Sequence, residues 1–151
     1  MADNVATIQD NYPIPTYYYN VAIDGTNYVF QEVSGLSIEY ETITYKHGQS
    51  YKDGYIMMPG QIAEVNLTLK RGIVRKDDYL YSWLGTVKLN TVEKRDVFIT
   101  LLDNDESPVV SWNVYNVFPK KIDAPTFDAS SNEVAIENLE LMANRMEIVY
   151  L

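Results

Sequence analysis

The chain has no cysteine and a single histidine, and basic residues are outnumbered 12 to 21 by acidic ones. Without cysteine there is no disulfide framework, no thiolate nucleophile and no sulfur-ligated metal, and the redox compartment is left open. One histidine excludes a three-histidine metal centre. His47 lies in a glycine-containing stretch with no marked context, and acids and serines are plentiful, so no Ser-His-Asp order stands out. The formal net charge of −9 is wrong for phosphate-driven binding of nucleic acid. The densest basic stretch, LKRGIVRK from Leu69 to Lys76, runs directly into Asp77 and Asp78. No apolar run approaches the ~20 residues that cross a bilayer. The opening MADNVATIQD has neither the basic nor the apolar region of a secretory leader. The expectation is a chain held in the cytosol, or exported by a route that reads no N-terminal peptide, with no direct membrane insertion.

Clusters that might carry chemistry are equally thin. DNDES, Asp103 to Ser107, gathers acids without the spacing of a calcium loop and reads as a hairpin turn. KRG and KDG read as turns, not phosphate cradles. Glu39 and Glu41 stand two apart, as a general acid and base would, but alternation along a wet strand produces the same pattern. The reading is a non-enzyme with no cofactor and no metal.

What is present is β pattern. At 151 residues the chain fits one domain, and 13 tyrosines against 4 phenylalanines suit half-buried sheets and interfaces. Residues 1–15 end in YPIP and read as an extended arm. TYYYNVAID and GTNYVF flank Asp24-Gly25, a hairpin signal. LSIEYETITY alternates, with Leu36, Ile38 and Tyr40 opposed to Ser37, Glu39 and Glu41. IAEVNLTLKR alternates again, Ala63, Val65, Leu67 and Leu69 against Glu64, Asn66, Thr68 and Lys70. Over residues 76–87 the period changes: Leu80, Trp83, Leu84 and Val87 form one helical stripe, Asp77 and Asp78 suit its N-terminus, and Gly85 ends it. DVFITLLD and VVSWNVYNVF read as strands that bring Trp112 and Phe118 to the core. Residues 119–132 read as irregular. The last segment reads as a long strand broken near Ala143-Asn144. The sum is mainly β, seven or so strands in a β-sandwich or barrel-like fold with one short α-helix.

Between two of these strands lies YKHGQSYKDGYIMMPG, residues 45–60, a long connection that carries Tyr51, Tyr55, Ile56, Met57 and Met58. A solvated loop has no need of that apolar content. It either folds back on its own sheet or awaits a partner.

Four ordered stretches, GLSIEYETITYKHG, PGQIAEVNLTLKRGI before an L-x-x-W-L helix, SWNVYNVFPKKI and NEVAIENLELMANRMEIV, resemble the inner-tube proteins of contractile phage tails and phage-tail-like injection systems. The same superfamily includes the haemolysin-coregulated protein of type VI secretion, and the likeness spans Tyr17 to Val149. The resemblance implies a single tail-tube domain over residues 1–151, in which strands join across subunits into a hexameric ring barrel. It implies stacked rings forming a hollow conduit that sheath contraction propels, with a sheath protein, baseplate, spike and terminator as partners and protein cargo in the lumen. Such a subunit assembles in the cytoplasm and ends in a released extracellular particle or a virion. Under the resemblance, residues 45–60 reach the next ring, with Tyr51, Tyr55, Ile56, Met57 and Met58 as inter-ring contacts. Glu39, Glu41, Glu64, Asn66 and Thr68 are the lumen-facing candidates, although outer solvent would demand the same residues. Tyr79 and Tyr81 are candidates for facing sheath or neighbour, and Lys120 and Lys121 for acidic neighbours. Leu80, Trp83 and Leu84 belong to the helix's core side. A contractile-phage or type VI tube, and more remotely a small ligand-binding β-barrel, are the alternative readings.

Overall fold

The computed structural model describes residues 13–75, 77–87 and 91–151. Most of the expected N-terminal arm, residues 1–12, therefore lies outside the described residues. In chain order the elements are β1 (Tyr19–Ile23), β2 (Thr26–Tyr28), β3 (Glu32–Ser34), β4 (Tyr40–Tyr45), α1 (Ser50–Asp53), β5 (Ile56–Ile62), β6 (Val65–Gly72), α2 (Tyr79–Leu84), β7 (Arg95–Leu102), β8 (Pro108–Asp123), β9 (Ile136–Ala143) and β10 (Arg145–Tyr150). All strand pairs are antiparallel. Among the described residues ten strands stand against the expected seven or so: the three-residue β3 is too brief for alternation to show, β5 lies within the connection over residues 45–60, and the last segment divides into β9 and β10.

Eight strands form one continuous sheet, β2-β1-β7-β8-β9-β6-β3, with β10 also on β8. The β1–β2 turn has positive φ at both Asp24 (53°) and Gly25 (81°), the two-residue turn whose twist matches a hairpin. The 16-residue strand β8 gives the sheet its shape. Its first part pairs with β7 and β10 and its last part with β9. Between them Asn116 takes φ 56° in a bulge opposite Asp96, whose carboxylate accepts a hydrogen bond from the Asn116 amide at 3.1 Å. A bulge bends a strand, and this one turns the sheet over on itself. The β9–β10 break at Asn144 lies beside the same corner. Residues 119–123, expected to be irregular, are strand because β9 supplies their partners.

The folded-over halves enclose a single core. Val21, Ile23, Val97, Ile99 and Val114 come from one half, and Val65, Leu67, Leu69, Leu139 and Leu141 from the other. The expected alternation of β6 holds, with Val65, Leu67 and Leu69 buried. Helix α2 closes the core with Leu80 and Trp83 fully buried and Leu84 half-buried; the Trp83 indole N–H donates to the Glu93 carbonyl at 2.9 Å. It is shorter than residues 76–87, and Val87 lies beyond it and exposed. Asp78 occupies the N-cap without a side-chain cap bond, while Asp77 pairs with Arg71 at 3.0 Å. Phe118 is half-buried beneath Lys94, 6.0 Å from the ring centre, and so is not a core residue.

Candidate assembly surfaces

The expected strand over 36–45 divides. Residues 36–39 belong to no strand, and Tyr40–Tyr45 leaves the main sheet to pair with Ile56–Ile62 in a separate two-stranded sheet. Gly35 makes the departure possible: its φ is +89°, and a Cβ there would lie 2.0 Å from the Asn66 carbonyl oxygen. The root is tied by the Ala63 amide donating to the Glu39 carbonyl at 2.7 Å. Residues 45–60 are thus the outer half of a β-hairpin with a one-turn helix at its tip, not an irregular loop. β5 carries one residue more than β4 between the Tyr40–Ile62 and Thr42–Pro59 pairs. Gly60 sits in that bulge because a Cβ would approach the Glu41 carbonyl oxygen to 2.9 Å.

Register decides which side chains act together. Tyr45 opposes Ile56 and Ile43 opposes Met58, so these four form one apolar face. Met57 opposes Thr44 and Pro59 opposes Thr42, on the other face. No residue of either strand is buried; Met57 is 62% exposed, and Tyr51 at the tip is 89% exposed. The fold-back alternative for this segment is excluded by that exposure. All five apolar residues picked from the sequence lie on the hairpin, but Ile56 and Met58 are on one face and Met57 on the other. Ile43 and Tyr45 complete the apolar face and were missed, because they follow the polar phase of Glu39 and Glu41 in the sequence.

At the tip, His47 is engaged locally: its Nδ1 accepts from the Gln49 amide at 3.2 Å, and its ring lies tilted 6.1 Å from that of Tyr45. Lys46 lies over Tyr55 at 5.5 Å.

The polar candidates split between two surfaces. Asn66 and Thr68 lie on the outward face of β6, across from Met142 and Glu140 of β9. Lys70 joins them and reaches Glu32 of β3 at 3.5 Å, with Lys121 paired to Asp123 at 3.3 Å at the far side. Glu64 is exposed just before β6. Glu39 and Glu41 belong to the hairpin root and do not share this face. Tyr81 is 72% exposed, whereas Tyr79 stacks on Tyr28 with ring centres 4.5 Å apart and Arg95 above it. Burial holds the Tyr79 hydroxyl above the ordinary tyrosine pKa, opposed by the Arg95 charge.

A third surface had no signal in the sequence. The inner face of β1, β7 and β8 extends past the core into an open cleft of about 780 Å³ whose walls include Tyr19, Phe30, Leu36, Ile99, Leu101 and Trp112. The Tyr19 hydroxyl donates to the Phe30 carbonyl at 2.6 Å, and burial raises its pKa. Tyr17 and Val29, 75% and 90% exposed, stand at the rim. The hydroxyl of the neighbouring Tyr18 donates to Glu106 at 2.6 Å, a bond that raises the tyrosine pKa. Glu106 belongs to the Asp103–Ser107 turn, where Asp103 Oδ1 accepts from the Asp105 and Ser107 amides at 2.9 Å each. Those carboxylate bonds shape the turn.

The profile of the family described as T4-like virus tail tube protein gp19 matches residues 15–147. No curated protein matches. Among solved structures, a chain of the PVC sheath–tube complex, from an extracellular contractile injection system in its extended state, is 35% identical over 99% of this chain and 100% of its own, with a TM-score of 0.91. A chain of the anti-feeding prophage tube-terminating cap is 38% identical over 99% of this chain and 97% of its own, with a TM-score of 0.87. Hcp1 from Flavobacterium johnsoniae shares the fold at 13% identity and a TM-score of 0.55, with 89% and 97% of the two chains covered.

Proposed function

The chain belongs to the T4-like virus tail tube protein family, and on that premise we propose that it is the inner-tube subunit of a contractile injection apparatus. The full-length likeness to a chain of a sheath–tube complex, at 35% identity and TM-score 0.91, carries this reading. Copies close into hexameric rings, rings stack into a hollow conduit, and a contractile sheath drives that conduit into its target. Baseplate and terminator proteins close the two ends. The subunit acts by assembly and needs no reaction of its own; it is put together in the cytoplasm and leaves in the finished particle.

The physics of the isolated chain agrees with this role. The β4–β5 hairpin is uncovered on both faces, and a lone two-stranded ribbon is marginal in water. Its Tyr51, Tyr55, Ile56, Met57 and Met58 are the proposed contacts between rings. Burying ~400 Å² of apolar area per copy there would contribute about 10 kcal/mol before ordering costs. The outward face of β6 with Asn66 and Thr68 is the proposed lumen lining, where a hydrated surface lets protein cargo slide without adhering. Glu64 fits the same lining, and Glu39 and Glu41 fit the hairpin root instead. The outer edge of β10 has no strand partner among the described residues, and pairing across subunits would complete it.

Negative-stain electron microscopy of the purified protein at rising concentration tests the proposal. Rings and then hollow rods are expected. A chain that stays monomeric at every concentration, with neither rings nor rods, would overturn it.

A further inference from the structure

We propose that the open cleft lined by Tyr19, Leu36, Leu101 and Trp112 is the socket for the β4–β5 hairpin of a second copy. The inference rests on the tube reading and names the surface that receives the arm.

Both halves of the contact are visible on one chain. The arm offers Ile43, Tyr45, Ile56 and Met58 on a single face, all four exposed among the described residues. The cleft offers apolar walls continuous with the core and about 780 Å³ of open space, room for on the order of 25 waters at ~30 Å³ each. Filling it with an apolar face releases that water from apolar surface, which is the favourable term.

The arm cannot reach its own socket. Leu36 lines the cleft and β4 starts at Tyr40, so the hairpin springs from the cleft's rim. None of residues 40–62 lines the cleft, and the strand Tyr40–Tyr45 spans ~20 Å at about 3.3 Å per residue. A projection and a socket at different places on one chain make a head-to-tail contact, which closes into rings or continues as a filament.

Charge selects the same occupant. The chain carries −9, so copies repel. Over residues 40–62, however, Glu41 and Asp53 balance Lys46 and Lys52, which makes the arm neutral. A neutral arm approaches an acidic copy without adding to the repulsion.

Absence of native cysteine makes cross-linking specific. Chains bearing Met58→Cys and chains bearing Leu101→Cys are mixed, assembled and oxidised. A disulfide-linked dimer found only in the mixture is expected, together with its loss when Ile43→Asp is added to the Met58→Cys chain. Should Leu101→Cys fail to fold, as circular dichroism would show, Val29→Cys at the exposed rim takes its place. Rods that form without the cross-link overturn the docking and leave the tube reading intact. Failure of the unmodified chain to form rings or rods overturns the tube reading, and the docking with it. A lipid recovered in stoichiometric amount from the unassembled protein would assign the cleft to a ligand and also overturn the docking.

Discussion

Arg71 sits in the most basic stretch of the chain, where Lys-Arg-Gly reads as a solvated turn. In the fold it is the penultimate residue of β6, and its side chain is only 8% exposed. Its Nε donates to Glu137 at 2.6 Å on the neighbouring strand, and its Nη1 donates to Asp77 at 3.0 Å just before α2. Nη2 adds a bond to the Asp77 carbonyl at 3.3 Å. One guanidinium thus ties the β6–β9 ladder to the segment that leads into the helix carrying Leu80 and Trp83. Such a fork is something a lysine cannot reproduce. Replacing Arg71 by Ala leaves the Glu137 carboxylate, 20% exposed, without its partner. Breaking a buried pair from one side costs about 3–5 kcal/mol, so we expect R71A to lose about 3 kcal/mol in urea unfolding and R71K to lose less. A loss within error of zero would show that the network is ornamental. The sequence offered no warning, because spacing along the chain says nothing about which acids a folded sheet brings to a cation.

At the scale of elements, what could be read was what local periodicity encodes. The Asp24-Gly25 hairpin, the β6 alternation, the helix around Leu80 and Trp83, and the break at Asn144 all follow from neighbours in sequence. The bend of β8 at Asn116, the short edge strands and the strand character of residues 119–123 depend on partners far along the chain, and no period announces them. The hairpin arm was half legible. Its surplus apolar residues were plain, but Gly35 and the Gly60 bulge set its phase, and only the register shows that Ile43 belongs with Met58. That register makes a distinct prediction. Ile43→Asp with Met58→Asp should abolish rod growth and leave single rings, whereas Met57→Asp, on the opposite face, should weaken growth much less. Because all three side chains are exposed in the isolated chain, each variant should stay within about 1 kcal/mol of the parent in unfolding. Electron microscopy beside urea titration separates the two effects. Equal damage from the two faces would mean that the arm is gripped all round and not laid into a socket by one side.

For the whole molecule the governing quantity is the −9 carried by every copy. Rings and stacks crowd these charges together, so assembly works against a repulsion that grows with each added subunit. Against it stand the pairs that Lys46 and Lys52 at the hairpin tip can form with exposed carboxylates of another copy. Exposed pairs of that kind are worth about 0–1 kcal/mol each, and salt weakens them along with the repulsion. The balance is decided by number: two favourable charges per arm cannot offset nine unfavourable ones per copy, so repulsion is the term that screening relieves most. At ~0.01 M ionic strength the Debye length is about 30 Å, long enough for neighbouring copies to feel one another fully, and at ~0.15 M it falls to about 8 Å. The apolar contribution from the arm is unaffected or strengthened over that range. Raising salt should therefore lower the protein concentration at which rods first appear in light scattering, and the lag before growth should shorten. The double variant Lys46→Gln with Lys52→Gln should keep that salt response and shift the threshold upward only slightly. A threshold that rises with salt would instead make charge pairing the main adhesive between copies, and the apolar face of the arm a secondary one.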